Sequence, residues 1–186
     1  MATQPERPGL EVLFDPPLDD ALVARLTRLW TEVANAGGAV GFVPGVTEAD
    51  IVPVASAAFA RVRDGSARLV IAYESVDPIG LAFLEHRPGP LFRHWVTVKR
   101  LQVAPHRQGQ GIGAAMLEAI TEWAVQSGLE QIHLTVRGGT GTETFYERFG
   151  YKVVARIPGV IRLAKGHTVE EIYMVKRIDR HDTNAD

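Results

Sequence analysis

The chain contains no cysteine among its 186 residues. That absence excludes disulfide bonds, a thiolate nucleophile and cysteine-ligated zinc sites. A strong charge of one sign is also lacking, because 20 Lys and Arg are balanced by 22 Asp and Glu, for a formal net charge of −2. A nearly neutral chain has no electrostatic basis for binding nucleic acid or an anionic membrane surface, so we expect neither partner.

Long apolar runs are missing as well. No segment approaches the roughly 18 apolar residues of a membrane span, and the opening residues Met-Ala-Thr-Gln-Pro lack the basic and apolar parts of a secretory signal. We therefore expect a cytoplasmic protein. A length of 186 residues suits one α/β domain. We place this domain at 10–178, between flexible tails at 1–9 and 179–186.

The segment with the most chemical information runs from Leu101 to Gly113. Its apolar beginning predicts the end of a strand, three glycines (Gly109, Gly111 and Gly113) follow, and the next residues are patterned as a helix. Glycines leave backbone N–H groups accessible, and a helix N-terminus adds unpaired donors and the positive end of the helix dipole. This combination predicts a phosphate or pyrophosphate site. A tight strand-to-helix turn without a ligand is the alternative.

Two common phosphate loops do not fit this segment. A Walker loop requires Gly-Lys-Ser/Thr, which does not follow Gly113, and the dinucleotide fingerprint requires glycine where Met116 stands. The residues Gln108-x-x-Gly111-x-Gly113 instead resemble the Gln/Arg-x-x-Gly-x-Gly/Ala signature of the GNAT superfamily of acyl-CoA-dependent N-acetyltransferases. The resemblance implies acetyl-CoA as co-substrate. The sequence has no spacing typical of metal ligands, so we expect no metal.

A second segment, residues 142–151, resembles the other GNAT signature, a helix ending in Tyr-x-x-x-Gly-Phe/Tyr. Phe145 and Phe149 are one helical turn apart, which predicts that both pack inward, and Gly150 suits the left-handed residue that ends a helix. The resemblance implies that Tyr146 lies near the CoA sulfur and protonates the leaving thiolate. From its own pattern, Tyr146 could also be an amphipathic core residue.

The predicted elements follow the order β-α-α-β-β-β-α-β-α-β-β. The resemblance implies a GNAT-like fold of the α/β (α+β) class, a mixed and mostly antiparallel sheet splayed between its fourth and fifth strands and flanked by four helices. In that family acyl-CoA enters between the splayed strands, and the backbone of the fourth strand pairs with the pantetheine arm. The residues predicted to contact CoA are Leu101, Gln102, Val103, Gln108, Gly109, Gln110, Gly111, Ile112 and Gly113.

The acceptor side departs from the family pattern. Four short segments (37–42, 98–101, 133–135 and 157–159) resemble the tabtoxin-resistance-type acetyltransferases, which implies a small-molecule amine as acceptor. However, Thr97 stands where many members have a glutamate, and Thr135 stands where this narrower group has an aspartate. Neither threonine can act as a base at neutral pH. We therefore expect an acceptor site that is less anionic than in relatives and that disfavours a strongly cationic substrate.

Other residues remain candidates for the acceptor site. His133 has the pKa range of a base, although a histidine in an alternating strand is often structural. Glu85 could face the acceptor or could be a solvated strand end. Phe42 could line an apolar pocket or belong to the core. The segments 37–45 and 158–168 are predicted to cover the acceptor as loops.

The leading functional hypothesis is an enzyme that transfers an acetyl group from acetyl-CoA to a small molecule, whose amine attacks the thioester directly. The hypothesis includes a role in resistance or detoxification. One alternative is a catalytically weak acyl-CoA-binding sensor or partner module. Another is an acetyltransferase that acts on protein amines. An apolar edge at 171–178 predicts pairing in a homodimer.

Overall fold

The computed structural model describes residues 9–178. The predicted tails lie outside the described residues, except for Gly9. The strands are β1 (Leu10–Phe14), β2 (Ala67–Glu74), β3 (Asp77–Glu85), β4 (Trp95–Val103), β5 (Gln131–Arg137), β6 (Lys152–Ala164) and β7 (His167–Arg177). The helices are α1 (Asp20–Asn35), α2 (Glu48–Arg63), α3 (Ile112–Gln126) and α4 (Thr142–Glu147). This order of elements confirms the predicted one.

The first two helices begin where an aspartate side chain forms a capping hydrogen bond with the backbone. The carboxylate of Asp19 accepts a hydrogen bond from the Leu22 N–H at 2.7 Å and so satisfies a donor of the first turn of α1. At the start of α2, Asp50 reaches back to accept from the N–H of Thr47 at 2.8 Å. These local hydrogen bonds determine where each helix starts.

The strands form one sheet in the order β1-β2-β3-β4-β5-β7-β6. Its neighbouring strands are antiparallel, except for the parallel pair β4–β5. The sheet is therefore mixed and mostly antiparallel, as predicted.

Helices cover both faces of the sheet. On one face α3 packs through Met116, Leu117 and Ile120, which are fully buried. On the other face α1 and α2 pack through Trp30 and Phe59, which are also fully buried. Burying each such side chain contributes about 1.5–3 kcal/mol. The two apolar clusters hold β2 and β3 between them, and the buried residues of β4 and β5 belong to the cluster of α3.

Two sequence predictions are wrong in the last part of the chain. The segment 158–168, predicted as a loop over the acceptor, belongs to the hairpin of β6 and β7, which turns at Lys165–Gly166. The segment 171–178 is not an exposed edge, because β7 pairs with β5 on one side and with β6 on the other. Its backbone N–H and C=O groups are therefore already paired, and the homodimer prediction loses the edge on which it depended.

Candidate active site

The candidate site begins where β4 and β5 separate. The two strands pair only at Trp95–Thr97 and Gln131–His133. Beyond these residues they diverge, and a cleft of about 900 Å³ opens between them. Parallel strands that separate in this way leave backbone groups of both edges available to an extended ligand.

A β-bulge in β4 helps to produce this separation. The register between β3 and β4 shifts between Leu81 and Phe83, and opposite this shift Arg100 adopts a left-handed φ of 53°. Such a conformation is uncommon for a residue with a side chain, and a bulge redirects the side chains that follow it. The side chain of Arg100 consequently lies over the ring of Trp30, with 4.9 Å between the guanidinium carbon and the ring centroid.

The glycine loop and the N-terminus of α3 form one wall of the cleft. Gly111 caps α3 with a left-handed φ of 80°, and Gly109 has a φ of 73°. Glycine adopts these conformations without the strain that a Cβ would cause. The side chain of Gln108 donates to the carbonyl oxygen of Val103 at 3.0 Å and thereby ties the loop to the end of β4. This arrangement presents the first-turn N–H groups of α3 to the cleft.

Gly113 lies in the cleft beside side chains of β4 and α4. A Cβ at this position would meet the ring of Phe145 at 3.4 Å and the side chains of Leu101 and Val103 at 3.8 Å. A Cβ here would make only ordinary van der Waals contacts, and its absence leaves that much more room between β4 and α4.

The predicted CoA residues lie together, with one exception. Those that line the cleft are Leu101, Gln102, Val103, Gln108, Gly109, Gly111, Ile112 and Gly113. Gln110 is not among the lining residues, because its side chain turns back and donates to the carbonyl oxygen of His106 at 3.2 Å. Gln102 is 3% exposed, and neither polar atom of its amide has a hydrogen-bond partner within the described residues.

Tyr146 lies in the wall of the cleft on α4. It is 7% exposed and packs edge-to-face on Phe145 and Tyr151, with ring centroids 5.2 Å and 5.7 Å apart. Burial raises the pKa of Tyr146 to about 12 because the phenolate would lose its hydration. The phenol is therefore protonated at neutral pH and can donate a proton or a hydrogen bond into the cleft.

The predicted acceptor residues are divided between two places. Thr135 lines the cleft, whereas Phe42, Glu85, Thr97 and His133 are not among the lining residues. Phe42 instead packs edge-to-face on a core tryptophan of α1, with ring centroids 6.4 Å apart. Thr97 is at the last position where β4 and β5 still pair.

His133 belongs to the paired part of the two strands. Its ring stacks on Trp95 at 4.2 Å with an interplanar angle of 10°, and its Nε2 is 2.8 Å from Oε1 of Gln131. Burial lowers the pKa of His133, with a smaller contribution from the charge of His94. These contacts hold the imidazole neutral and away from the lining of the cleft.

Glu85 is a buried carboxylate, contrary to the solvated strand end that was one reading of its position. Its side chain is 7% exposed and forms ion pairs with Arg61 at 2.9 Å and with Lys99 at 2.6 Å. Two cations therefore neutralise one carboxylate on the α2 side of the sheet. Both ion pairs are made by Oε2, and they connect β3 to α2 and to β4.

Several cleft-lining cations were not identified from the sequence. These are Arg100, Arg107 and Arg148. Arg137 lines the cleft too, and its place after the fifth strand had suggested either a contact with an acidic substrate group or a surface position. Arg107 pairs with Glu74 outside the cleft. No local pattern marks Arg100, because its direction depends on the bulge of β4. The cleft is consequently more cationic than the sequence indicated.

Two classes of site are not found in the part of the chain described. Among residues 9–178, no group of three or more His, Cys, Asp or Glu side chains is arranged to hold a metal ion. No helix in that range is both long and apolar enough to cross a membrane.

The fold and the cleft are those of a protein with room for an extended ligand between two separated strands, beside a glycine loop. Comparison with known proteins gives the family. The acetyltransferase (GNAT) domain family matches residues 65–153, the range that contains β3, β4, the glycine loop, β5 and α4. Residues 65–153 of this chain therefore match a GNAT acetyltransferase domain, which supports acetyl transfer as the general activity.

Solved structures share the fold at low sequence identity. The yncA protein of Salmonella typhimurium, solved with its cofactor acetyl-CoA, is 20% identical with a TM-score of 0.71, covering 94% of this chain and 97% of that one. The ribosomal-protein-S18-alanine N-acetyltransferase of Escherichia coli is 16% identical with a TM-score of 0.68, covering 95% and 99%. A candidate phosphinothricin N-acetyltransferase is 14% identical with a TM-score of 0.73, covering 92% and 99%.

Proposed function

We propose that this chain transfers an acetyl group from acetyl-CoA to the amine of a small molecule, with Tyr146 as the general acid. The observation that carries the proposal is the position of Tyr146, which is buried in the wall of the same cleft that the glycine loop lines. Residues 108–113 would hold the CoA phosphates through backbone N–H groups. The room beside Gly113 would admit the pantetheine arm, which would pair with the free edge of β4.

The reaction forms one bond and breaks one. The acceptor nitrogen, as a free amine, attacks the thioester carbonyl, so that a C–N bond forms and the C–S bond breaks. Tyr146 gives its proton to the departing sulfur and is reprotonated by the proton that the acceptor nitrogen releases, directly or through water. A phenol that stays protonated at neutral pH suits this role, and general acid catalysis contributes about 10²–10⁴-fold.

The free amine must form without a dedicated carboxylate base at Thr97 or Thr135. Among the described residues that line the cleft, the one carboxylate is that of Glu118 on α3, against four arginines. A cationic environment disfavours the ammonium form of a bound amine and lowers its pKa. We infer that the ammonium loses its proton to water as the acceptor binds.

The test is thiol release from acetyl-CoA with a panel of amines, comparing Tyr146→Phe with Tyr151→Phe. Both changes remove one buried hydroxyl, but Tyr151 does not line the cleft. We expect Tyr146→Phe to lower kcat by about 10²-fold or more while acetyl-CoA affinity changes less than about twofold. Tyr151→Phe is expected to keep wild-type kcat.

Other outcomes would contradict the proposal. A loss of acetyl-CoA affinity in Tyr146→Phe would assign this tyrosine to packing. Binding of acetyl-CoA without thiol release for any amine would favour the sensor or partner module. Release with peptides but not with free small amines would favour a protein acceptor, the class named for the Escherichia coli structure that shares this fold.

A further inference from the structure

Arg100 and Arg137 lie on opposite arms of the separation between β4 and β5. Thr97 is the last residue of β4 that pairs with β5, so Arg100 stands beyond the closed part, and Arg137 is the last residue of β5. Both arginines are half-buried and both line the cleft. Each of the two separated strands therefore contributes one arginine to the cleft.

Neither arginine has a carboxylate partner within ion-pair distance in residues 9–178. The cations that form ion pairs there are Arg25, Arg28, Arg61, Arg68, Lys99, Arg107 and Arg156. Arg100 is held by the Trp30 ring, and Arg137 donates from Nη2 to the carbonyl oxygen of Gly37 at 3.0 Å. A guanidinium has five N–H donors, so both retain donors for a ligand.

The surroundings of Arg100 leave an excess of positive charge. The carboxylate whose charge acts on Arg100 is that of Glu85, and it is already paired with Arg61 and Lys99. Burial lowers the pKa of Arg100, and the charge of Glu85 opposes that change. An arginine nevertheless stays charged at neutral pH. A half-buried cation of this kind is stabilised when an anion supplies hydrogen bonds to it.

Both arginines are on the face of the sheet away from α3. Residues Ile132 to Val136 alternate, and the even-numbered ones pack in the cluster of α3, so Thr135 and Arg137 point to the α1–α2 face. Arg100 contacts the same face through a tryptophan of α1. The predicted phosphate cradle belongs to the start of α3. The two arginines are therefore placed for the acceptor and not for the CoA phosphates.

We propose that Arg100 and Arg137 bind a carboxylate of the acceptor, so that the substrate is a small amine of the amino-acid type. This assignment rests on the proposed acetyl transfer, since it names the substrate class of the same cleft. Two guanidinium groups, one from each strand, match the two oxygens of a carboxylate. The interaction also orients the amine toward Tyr146, which lies in the same cleft.

The test measures binding separately from turnover. Wild type, Arg100→Gln, Arg100→Lys and Arg137→Gln are titrated, in the presence of CoA, with a panel of N-acetylamino acids and with the corresponding N-acetylamino acid amides. We expect wild type to bind the acids roughly ten- to a hundredfold more tightly than the amides. The ratio of the affinity for the acids to the affinity for the amides should fall toward one in Arg100→Gln and Arg137→Gln. Arg100→Lys should retain part of this preference for the acids. Arg162→Gln, which removes an exposed positive charge on β6, is the matched control and should keep the full ratio.

The kinetic arm repeats the comparison with free amino acids and their amides as acceptors. Turnover of acids and amides at equal kcat/KM would overturn the carboxylate site and leave acetyl transfer standing. An arginine-dependent preference for acids in binding, without turnover of any amine, would support the carboxylate site and contradict the proposed function. Equal or undetectable binding of the acids by wild type would overturn the inference. So would a loss of CoA affinity in both glutamine variants, because the arginines would then serve the CoA phosphates.

Discussion

The closed and open halves of the β4–β5 pair treat their polar side chains differently. In the closed half, His133 stacks on Trp95 and bonds to Gln131, and nearby Glu85 is paired with two cations. In the open half, the amide of Gln102 has no hydrogen-bond partner and Arg100 forms no ion pair, as far as residues 9–178 show. The comparison teaches that unsatisfied polar groups occur where the strands separate. A ligand that enters the separation can satisfy them.

The largest effect should come from breaking the closed half. Glu85→Gln removes a buried carboxylate and leaves Arg61 and Lys99 without their acidic partner. Because those cations are 40% and 45% exposed, we expect a loss of about 2 kcal/mol in the free energy of unfolding, less than for a fully buried pair. Denaturant unfolding measures it, with Asp77→Asn as the control.

Asp77 pairs with Arg25 at the opposite end of β3, and its side chain is 77% exposed. Its replacement should cost no more than about 0.5 kcal/mol. Equal losses for Glu85→Gln and Asp77→Asn would show that the closed half does not depend on its buried ion pairs.

The second largest effect concerns two glycines of the open half, Gly111 and Gly113. Gly111→Ala places a Cβ on a residue with a φ of 80° and should cost about 1–2 kcal/mol of stability. It should also weaken acetyl-CoA binding, because the N–H groups of the turn move. Gly113→Ala has no such backbone strain, and its Cβ would meet Phe145 at an ordinary contact distance of 3.4 Å.

Unfolding and acetyl-CoA titration of both alanine variants measure the difference. We expect Gly113→Ala to be at least as stable as wild type, since alanine favours the first turn of a helix by up to about 1 kcal/mol. If Gly111→Ala were the more stable of the two, the left-handed turn would not be the conformation of the loop.

Two glutamines next to the cleft should respond in opposite directions. Gln102→Leu removes a buried amide that has no partner and should raise stability by about 1 kcal/mol. Gln108→Leu removes the hydrogen bond to the carbonyl oxygen of Val103 and should lower stability by about 1 kcal/mol. Thermal unfolding of both variants checks the contrast. A destabilising Gln102→Leu would mean that its amide is satisfied in the folded protein, and the distinction between the two halves would fail there.

The smallest effect concerns pH. Burial lowers the pKa of His133 below its ordinary value near 6.5, so the unfolded chain binds a proton that the folded chain resists. Stability should therefore be full above that ordinary value and decrease as pH falls toward the lowered pKa. His133→Phe keeps a ring for stacking on Trp95 and should reduce this pH dependence. The free energy of unfolding of both proteins is measured at pH 7.5 and at acidic pH. If it changed equally with pH in wild type and in His133→Phe, the prediction would be contradicted.

Local chemistry made several features of the molecule predictable. The capping side chains of Asp19 and Asp50 act on backbone groups only three residues away, so each helix start is encoded in a short stretch of sequence. The glycine loop and the helix of Tyr146 were equally visible as short patterns. The extent of β6 and β7 was missed, because Pro158 and Gly159 were interpreted as loop residues, while pairing with β7 resumes at Ile161 after a register shift.

The sequence by itself determined the order of elements, the helix caps, the glycine loop and the family, because each depends on residues that are neighbours along the chain. Only the tertiary structure decided which side chains share the cleft. Arg100 reaches it through a bulge whose register is set against β3, whereas His133 is held in the closed half by stacking on a residue of β4. Strand register and the point where two strands separate depend on pairing between distant segments, and no local pattern encodes them.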